Sequence, residues 1–270
     1  MIRKAIFSAI ATLVPVTTAS AVDVGQMFGH SIEIVGDYPD RIIHIDGREM
    51  HTNAILTFDE LVLVSGVPAL IGNSSNGGNA CDGTPFVISF PSGGKPRFDG
   101  PIEACAFISY TLRSDGIDFS TKDVPGQGTR RWTWSPSEGL QTLEDVAFAP
   151  KDTSGWQALR ERSFQHPADA LNNIAIAADV KALLGADFST FQEIIAGTGS
   201  GEFRGADYIG QTCTPHMCRE QEPLLFLSAE EKQVYAAWKP LDQKIEVRPP
   251  VGQWPEAAKR ELRAWAKTWK

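Results

Sequence analysis

The sequence lacks the long apolar runs of membrane proteins and the motifs of the common enzyme classes. After residue 21, no stretch approaches the roughly 20 consecutive apolar residues that a transmembrane helix needs. A nucleophile elbow, a phosphate-binding loop, a metal-binding helix and a catalytic cysteine motif are all missing. The glycine-rich "GTGSGEFRG" at 197–205 follows a helical pattern instead of a strand and lacks the phosphate-loop lysine. We therefore expect no membrane span, no enzymatic activity, no metal site and no cofactor.

Positive charge is also in deficit. The chain carries 25 Lys and Arg against 33 Asp and Glu, a formal net charge of −8. An acidic surface disfavours nucleic acid and anionic lipid, and it favours a basic partner through attraction at a distance. The same balance is typical of exported proteins that are acidic only for solubility. We therefore expect no nucleic-acid partner.

The first 21 residues have the pattern of a secretory leader. Arg3 and Lys4 form a basic start, an apolar run covers 6–16, and Ala19-Ser20-Ala21 resembles a cleavage site. The apolar run is too short to span a bilayer. Cleavage after Ala21 would leave about 249 residues with 23 Lys and Arg, hence a net charge of −10. We expect an exported protein of a bacterial periplasm.

The chain has only four cysteines, an even number that indicates two disulfides in an oxidising compartment. Proximity in sequence favours Cys81 with Cys105 and Cys213 with Cys218 among the three possible pairings. In the loop-entropy model the two bonds contribute about 3.5 and about 2 kcal/mol to stability. The smaller ring adds little stability for the two cysteines that it uses, so it can have another role.

From residue 31 to about 148 the sequence is rich in short β patterns separated by turn-forming residues. The apolar runs are "IEIVGD", "RIIHIDG", "AILTF", "ELVLVSG", "ALIG", "FVISF", "CAFISYTL" and "RRWTWSP". Strands this short and frequent, without helical patterns between them, predict an antiparallel sandwich or a barrel-like domain over 22–150.

The pattern changes after the polar, turn-rich "APKDTSG", which we interpret as a linker. A helix is predicted within 166–185, and a second within 188–197 with Ser189 and Gln192 as a capping box. The apolar face of the first helix is predicted at Leu171, Ile174, Ala178 and Leu183, with Gly185 as its stop.

The remaining pattern completes an α+β domain over 160–270. The β runs "LLFLS", "VYAAW" and "KIEVRPP" are followed by a helix that begins after Pro255. The apolar face of this last helix is predicted at Ala258, Leu262, Trp265 and Trp269. A small antiparallel sheet with helices is therefore expected around the second cysteine pair.

That pair encloses a proline and a histidine in "CTPHMC". Four residues separate the cysteines, whereas redox motifs use two, and Arg219 stands where a haem-attachment motif has histidine. No further Cys or His is near enough in sequence for zinc. His216, Met217 and Cys218 include soft ligands for copper, which stays an alternative for a periplasmic protein. A second alternative is a stapled β-turn with no other role.

A third interpretation is a rigid probe. A short disulfide ring that contains proline has already lost most of its conformational entropy, so it can enter a cleft at little further cost. A histidine suits a cleft lined by carboxylates, because its ring donates hydrogen bonds and pairs with an acid when protonated.

The stretch "YIGQTCTPHMC", the strand pair after it and the final helix resemble the periplasmic inhibitors of vertebrate C-type lysozyme. That family presents a Cys-Lys-Pro-His-Asp-Cys loop from an α+β domain, and the similarity covers roughly 165–270. The resemblance implies a stoichiometric, often dimeric, inhibitor of a lysozyme or another muramidase. His216 would meet the two catalytic carboxylates of the target, Pro215 would stiffen the loop, and Cys213 and Cys218 would frame it.

Two positions of the loop depart from the family pattern. Thr214 stands where the family has lysine, and Met217 stands where it has aspartate. Met217 offers an adaptable apolar contact in place of a charge. All four residues 214–217 are predicted to contact the partner. The alternative is an envelope protein without inhibitory activity, in which the ring is only a staple.

Other polar and aromatic residues have simpler interpretations. His44 and Asp46 share a strand face with His51 further along, but ordinary strand residues are more common than such a metal site. Trp132 and Trp134 also share a strand face, where aromatic pairs more often belong to a core than to a sugar site.

Overall fold

The computed structural model describes residues 23–78 and 81–269. The predicted leader, residues 1–21, lies outside the described residues. Within the described ranges, no helix is both long enough and apolar enough to cross a membrane.

The N-terminal part consists of three four-stranded antiparallel sheets in which consecutive strands are neighbours. The first sheet contains β1 (Asp23–Met27), β2 (His30–Val35), β3 (Arg41–Ile45) and β4 (Arg48–Asn53). The second contains β5 (Ile55–Val64), β6 (Val67–Ser75), β7 (Thr84–Ser89) and β8 (Arg97–Asp99). The third contains β9 (Ile108–Leu112), β10 (Ile117–Thr121), β11 (Arg131–Ser135) and β12 (Gly139–Thr142).

The second sheet is packed between the other two. Side chains of a strand alternate between its faces, so Leu70 and Ile88 pack with the first sheet, while Ile71 and Val87 pack with the third. All six residues of β7 are buried because both of its faces are covered. The stack of open, face-to-face sheets confirms the predicted antiparallel all-β class and explains why "FVISF" is apolar without alternation.

The strand predictions were incomplete in specific places. The runs "AILTF" and "ELVLVSG" belong to one strand, β5, which is interrupted by an irregularity between Phe58 and Glu60. Strand β4 lacks a predicted run because "REMHTN" is a polar edge strand with no buried residue.

The C-terminal part contains five α-helices and a five-stranded antiparallel sheet in sequential order. The helices are α1 (Ala158–Glu161), α2 (Asp169–Asn172), α3 (Ile174–Leu184), α4 (Phe188–Ile195) and α5 (Glu256–Ala266). The strands are β13 (Thr198–Arg204), β14 (Asp207–Cys213), β15 (Glu222–Ser228), β16 (Gln233–Lys239) and β17 (Glu246–Arg248). This arrangement confirms the predicted α+β class.

Both faces of this sheet are covered. Helices α1 to α4 pack on one face, against Tyr208, Leu225 and Trp238, while α5 packs on the other, against Ile209 and Phe226. Strands β15 and β16 lie in the middle and are almost entirely buried. The sheet is therefore held rigidly from both sides, and this rigidity extends to the hairpin formed by β14 and β15.

The predicted apolar face of the first helix is correct at Leu171 and Leu183 and wrong at Ile174 and Ala178. Asn173 has an extended conformation, separates α2 from α3, and caps α3 by accepting a hydrogen bond from Ile176 N at 3.2 Å. The helix therefore starts anew, and its buried face contains Ile176 and Val180, whereas Ile174 and Ala178 are exposed.

The predicted capping box of the second helix was also wrong. The N-cap of α4 is Asp187, at the end of a 3-10 turn over Gly185–Asp187, and Ser189 lies exposed inside the helix. The glycine-rich 198–204 segment forms edge strand β13. Gly185 does end α3, as predicted.

The segment between the two parts is packed against both. Lys151 Nζ lies 2.7 Å from Asp123 of the N-terminal part, and Lys151 N donates to Asn172 O at 3.0 Å. Asp152 forms a parallel bridge with Asn173. The segment is thus fixed at both ends, and the predicted division of the chain near residue 150 stays a prediction.

Candidate functional site

The cysteine ring forms the end of the hairpin between β14 and β15. The last residues paired between these two strands are Gln211 and Leu224, β14 continues to Cys213, and residues 214–221 form the loop. A disulfide joins Cys213 and Cys218, whose Cα atoms lie 4.9 Å apart. The loop is therefore closed covalently just beyond a buried, rigid sheet.

Residues 214–217 form a tight turn at the end of the ring. Met217 N donates to Thr214 O at 2.9 Å, which closes the turn. Pro215 is its second residue, and His216 is its third, with φ of +65°. Proline followed by a residue of positive φ is the pattern of a type II turn, in which glycine is usual at the third position. The turn therefore places a histidine where the backbone favours glycine.

The four residues of the turn differ in exposure. Pro215 and His216 are exposed, whereas Thr214 and Met217 are half-buried. Within the described residues, the His216 imidazole has no hydrogen bond, ion pair or ring contact. Both ring nitrogens are therefore free to bind a partner.

Thr214 braces the ring. Its hydroxyl donates to Gln221 Oε1 at 2.7 Å, and its backbone N donates to Gln221 O at 3.2 Å. A second turn follows, in which Glu220 N and Gln221 N both donate to Met217 O. The side chain at position 214 therefore stiffens the loop from inside.

The base of the ring is fixed by contacts that sequence reasoning missed. A Cβ at Gly197 would lie 2.1 Å from Cys213 O, so only glycine allows this approach of the two backbones. His166 Nδ1 accepts from Ala168 N at 3.1 Å, which leaves Nε2 to donate to Gly197 O at 2.9 Å. The sequence signals this contact only by a histidine before a proline, His166-Pro167, at the start of the predicted first helix.

The second predicted disulfide is also present. It joins Cys81 and Cys105, whose Cα atoms lie 4.7 Å apart, and it connects the β6–β7 segment to the chain before β9. Because all four sulfurs are in disulfides, neither pair offers the thiolate that the copper alternative would use. In the described parts of the chain, no group of three or more His, Cys, Asp and Glu side chains is placed to hold a metal ion.

The histidines of the first sheet do not come together. Asp46 pairs with His30, at 2.7 Å between Oδ2 and Nδ1, and this hydrogen bond lowers the pKa of Asp46. His51 Nε2 lies 2.8 Å from Ser74 Oγ, and burial lowers the pKa of His51. The imidazole of His51 stacks on Phe98 at 5.1 Å between centroids. Asp46 lies exposed in the turn after β3, so it does not share a strand face with His44 as predicted, and His51 is half-buried. These are ordinary structural contacts, which agrees with the simpler interpretation of these residues.

The tryptophan pair of β11 belongs to the core. Trp132 and Trp134 are 5% and 0% exposed, and both pack between the second and third sheets. Trp134 Nε1 donates to Asp99 Oδ2 at 2.8 Å, so its polar atom is satisfied inside the protein. Neither ring offers a face to a sugar.

Two family models match separate parts of the chain. Residues 175–268 match the inhibitor of vertebrate lysozyme, and these residues include the ring. Residues 28–147 match the Y4bG N-terminal domain, which sequence reasoning did not recognise. The first match confirms the resemblance seen in the ring and the strands around it.

One relative and two solved structures are similar to the chain. Uncharacterized protein y4bG of Sinorhizobium fredii is 62% identical over 271 residues, which covers 100% of both chains. A subtype N11 neuraminidase-like protein of A/flat-faced bat/Peru is 9% identical, with 81% of this chain and 54% of that chain covered and a TM-score of 0.27. A subtype N10 neuraminidase-like protein of A/little yellow-shouldered bat/Guatemala is 8% identical, with 85% and 79% covered and a TM-score of 0.25. At these scores the two structural similarities carry no argument.

Proposed function

Because the chain belongs to the y4bG family and carries a lysozyme-inhibitor domain over 175–268, we propose that it is a periplasmic inhibitor of a lysozyme or another muramidase. The 213–218 ring enters the active-site cleft of the target and blocks it without turnover. Residues 214–217 form the contact surface, with His216 at its centre.

The exposure of His216 at the tip of a covalently closed and braced ring is the observation that carries this proposal. A side chain at positive φ is unfavourable by roughly 1 kcal/mol relative to glycine. A turn that served only to connect two strands would lose nothing with glycine at this position. The disulfide, Pro215 and the Thr214–Gln221 hydrogen bonds hold the imidazole in this exposed position. Because other residues, such as Arg219 of the same loop, also have positive φ, this cost supports a role for His216 together with its exposure and its unbonded imidazole.

The chemistry of the imidazole fits a cleft that contains two carboxylates. Its two nitrogens are uncommitted among the described residues, so one can donate to each of two acids when the ring is protonated. Charge-assisted bonds of this kind are about twice as strong as neutral ones. Exposed Pro215 fills space beside the histidine, and Met217 adds an adaptable apolar contact. The blockade is therefore both steric and electrostatic.

The test is inhibition of a panel of lysozymes and bacterial muramidases by the purified protein. We expect a nanomolar inhibition constant for at least one enzyme, and a loss of roughly 30-fold or more for His216→Ala, the effect of truncating one partner of a buried charged contact. His44→Ala is the matched control, because His44 is a half-buried histidine on β3, far along the chain from the ring. If no enzyme of the panel is inhibited, or if His216→Ala inhibits as well as the wild type, the ring is only a staple.

Export of the protein, its dimerisation and its copper content are each tested by a separate measurement. N-terminal sequencing of the protein from a periplasmic fraction should start at residue 22 if the predicted leader is removed. Light scattering of the same sample gives the molar mass and tests the homodimer that the resemblance implies. Metal analysis of that sample tests the copper alternative directly.

A further inference from the structure

A cleft of about 350 Å³ lies at the end of the second sheet, in the N-terminal part. Its floor and walls come from β5, β6 and the two segments that follow Cys81 and Cys105. The eight residues that line it are Ile55, Thr57, Asn73, Ser75, Asp82, Gly83, Phe107 and Ile108. The cleft is separate from the ring, and neither the lysozyme-inhibitor match nor the function proposed above accounts for it.

Large apolar side chains stand exposed along the cleft. Phe107 is 68% exposed and Ile55 is 43% exposed, although both could have been polar without loss to the core. Tyr38, which is 66% exposed, extends the same surface, because the Cβ position of Gly77 lies within 4 Å of both Tyr38 and Ile55. A cluster of exposed apolar groups beside a polar cleft is typical of a binding surface.

Hydrogen bonds within the protein preorganise the polar side chains of the cleft for a ligand. Asp59 accepts hydrogen bonds from the Thr57 hydroxyl, at 3.0 Å, and from the Asn73 amide. These bonds fix both of those side chains at the cleft wall. Asp82 is exposed, and its carboxylate has no partner among the residues that the structure describes. The cleft thus offers hydroxyl, amide and carboxylate groups beside an aromatic face.

The charge of the lining defines the class of ligand. All eight lining residues are neutral or acidic, and the whole chain carries a net charge of −8. A phosphate, a sulfate or a carboxylate would therefore be repelled. A neutral sugar suits this lining, because its hydroxyls bond to amides and carboxylates while its apolar ring face stacks on an aromatic side chain.

The Cys81–Cys105 disulfide holds the cleft in shape. Asp82 directly follows Cys81, and Phe107 lies two residues after Cys105, so the bond ties the acidic wall to the aromatic wall. A wall that is fixed before binding loses less entropy when a ligand enters.

From these observations we propose that the cleft is a binding site for a neutral oligosaccharide, with Phe107 as the stacking platform and Asp82 as the main hydroxyl acceptor. The site works independently of the ring. The protein would then hold a glycan through its N-terminal part while its C-terminal part presents the inhibitory loop.

The test is calorimetric titration of the full exported protein. The probes are the neutral β-1,4-linked tetramer of N-acetylglucosamine, a neutral glucose tetramer of the same linkage, and a hyaluronan oligomer of matched length as the acidic comparator. We expect saturable binding of at least one neutral tetramer and none of the acidic oligomer. If neither neutral tetramer binds, or if hyaluronan binds as tightly as they do, the proposal is overturned.

Variants locate the site. Phe107→Ala and Asp82→Asn should each weaken binding of the neutral tetramer at least ten-fold, with unchanged thermal unfolding. Leu63→Ala is the matched control, because Leu63 is 69% exposed on the same strand as Ile55, eight residues away. His216→Ala should bind the glycan as the wild type does, which separates this site from the proposed inhibition. Wild-type binding in both Phe107→Ala and Asp82→Asn would refute the assignment.

Discussion

The larger disulfide should matter more for stability and the smaller one more for inhibition. Cys81–Cys105 closes a loop with a sequence separation of 24, whereas Cys213–Cys218 closes one of 5. In the loop-entropy model, removal of the first bond lowers the free energy of unfolding by about 3.5 kcal/mol, and removal of the second lowers it by about 2 kcal/mol. For a chain of this length, these losses correspond to melting temperatures lower by about 7–14 °C and about 4–8 °C.

The effect on inhibition should follow the reverse order. Without the smaller bond, the 214–217 turn samples other conformations in the free protein, and binding has to order it again. If the entropy that the bond removes, about 2 kcal/mol, is all required at this step, the inhibition constant rises about 30-fold. The larger bond lies in the N-terminal part, away from the ring, so its removal should leave the inhibition constant unchanged at temperatures where the variant is folded.

The assay compares two double variants, Cys81→Ser with Cys105→Ser and Cys213→Ser with Cys218→Ser. Each is measured by calorimetric unfolding and by inhibition of the most sensitive enzyme of the panel, well below the lower melting temperature. Full inhibition by the variant without the ring would refute the argument that the ring acts by stiffening the turn. A loss of inhibition in the other double variant would show that the target contacts the N-terminal part as well.

Two further predictions concern the interior. Asn173→Ala should lower the free energy of unfolding by roughly 2 kcal/mol, because it removes a helix cap and the fully buried amide that donates to the half-buried Asp152 and Ser154. Asn76→Ala, at an exposed loop position, should change it little. The second concerns His51, whose pKa is lowered by burial, so the unfolded chain binds its proton first as the pH falls below about 6.5. Stability should therefore decrease from pH 7 downward until the lowered pKa is passed, and His51→Gln should flatten this part of the melting-temperature profile; an identical profile for the variant would contradict the assignment.

The parts of the fold that were predictable have strong local patterns. The strands β15 and β16 were recognised from their continuous apolar runs and the final helix from its constant period, and Ala258, Leu262 and Trp265 are buried as expected. The disulfides followed from sequence proximity. The exposed position of His216 is consistent with the ring interpretation, although a role in binding stays a proposal.

What could not be predicted depends on contacts between distant residues. Asn173 restarts a helix because Asp152, Ser154 and Gly155 O, about 20 residues earlier, accept from its amide. The residues next to Asn173 in the sequence do not predict these hydrogen-bond partners. The contacts of His166 and Gly197 at the base of the ring were missed for the same reason. They depend on the close approach of the Gly197 and Cys213 backbones, which no local sequence pattern encodes.

The sequential order of the strands has a consequence for how the protein matures. Every sheet pairs strands that follow one another along the chain, and each disulfide joins a cysteine to the next one in sequence. A chain that enters an oxidising space from its N-terminus therefore meets its correct cysteine partners in order. If an external two-electron oxidant of that space joins each thiol to the next free thiol that follows it, the native pairing results, with Cys81 already bonded to Cys105 before Cys213 arrives. Ordered entry thus removes the need for disulfide shuffling, so cells that lack the disulfide isomerase of that space should still yield the protein with both native bonds.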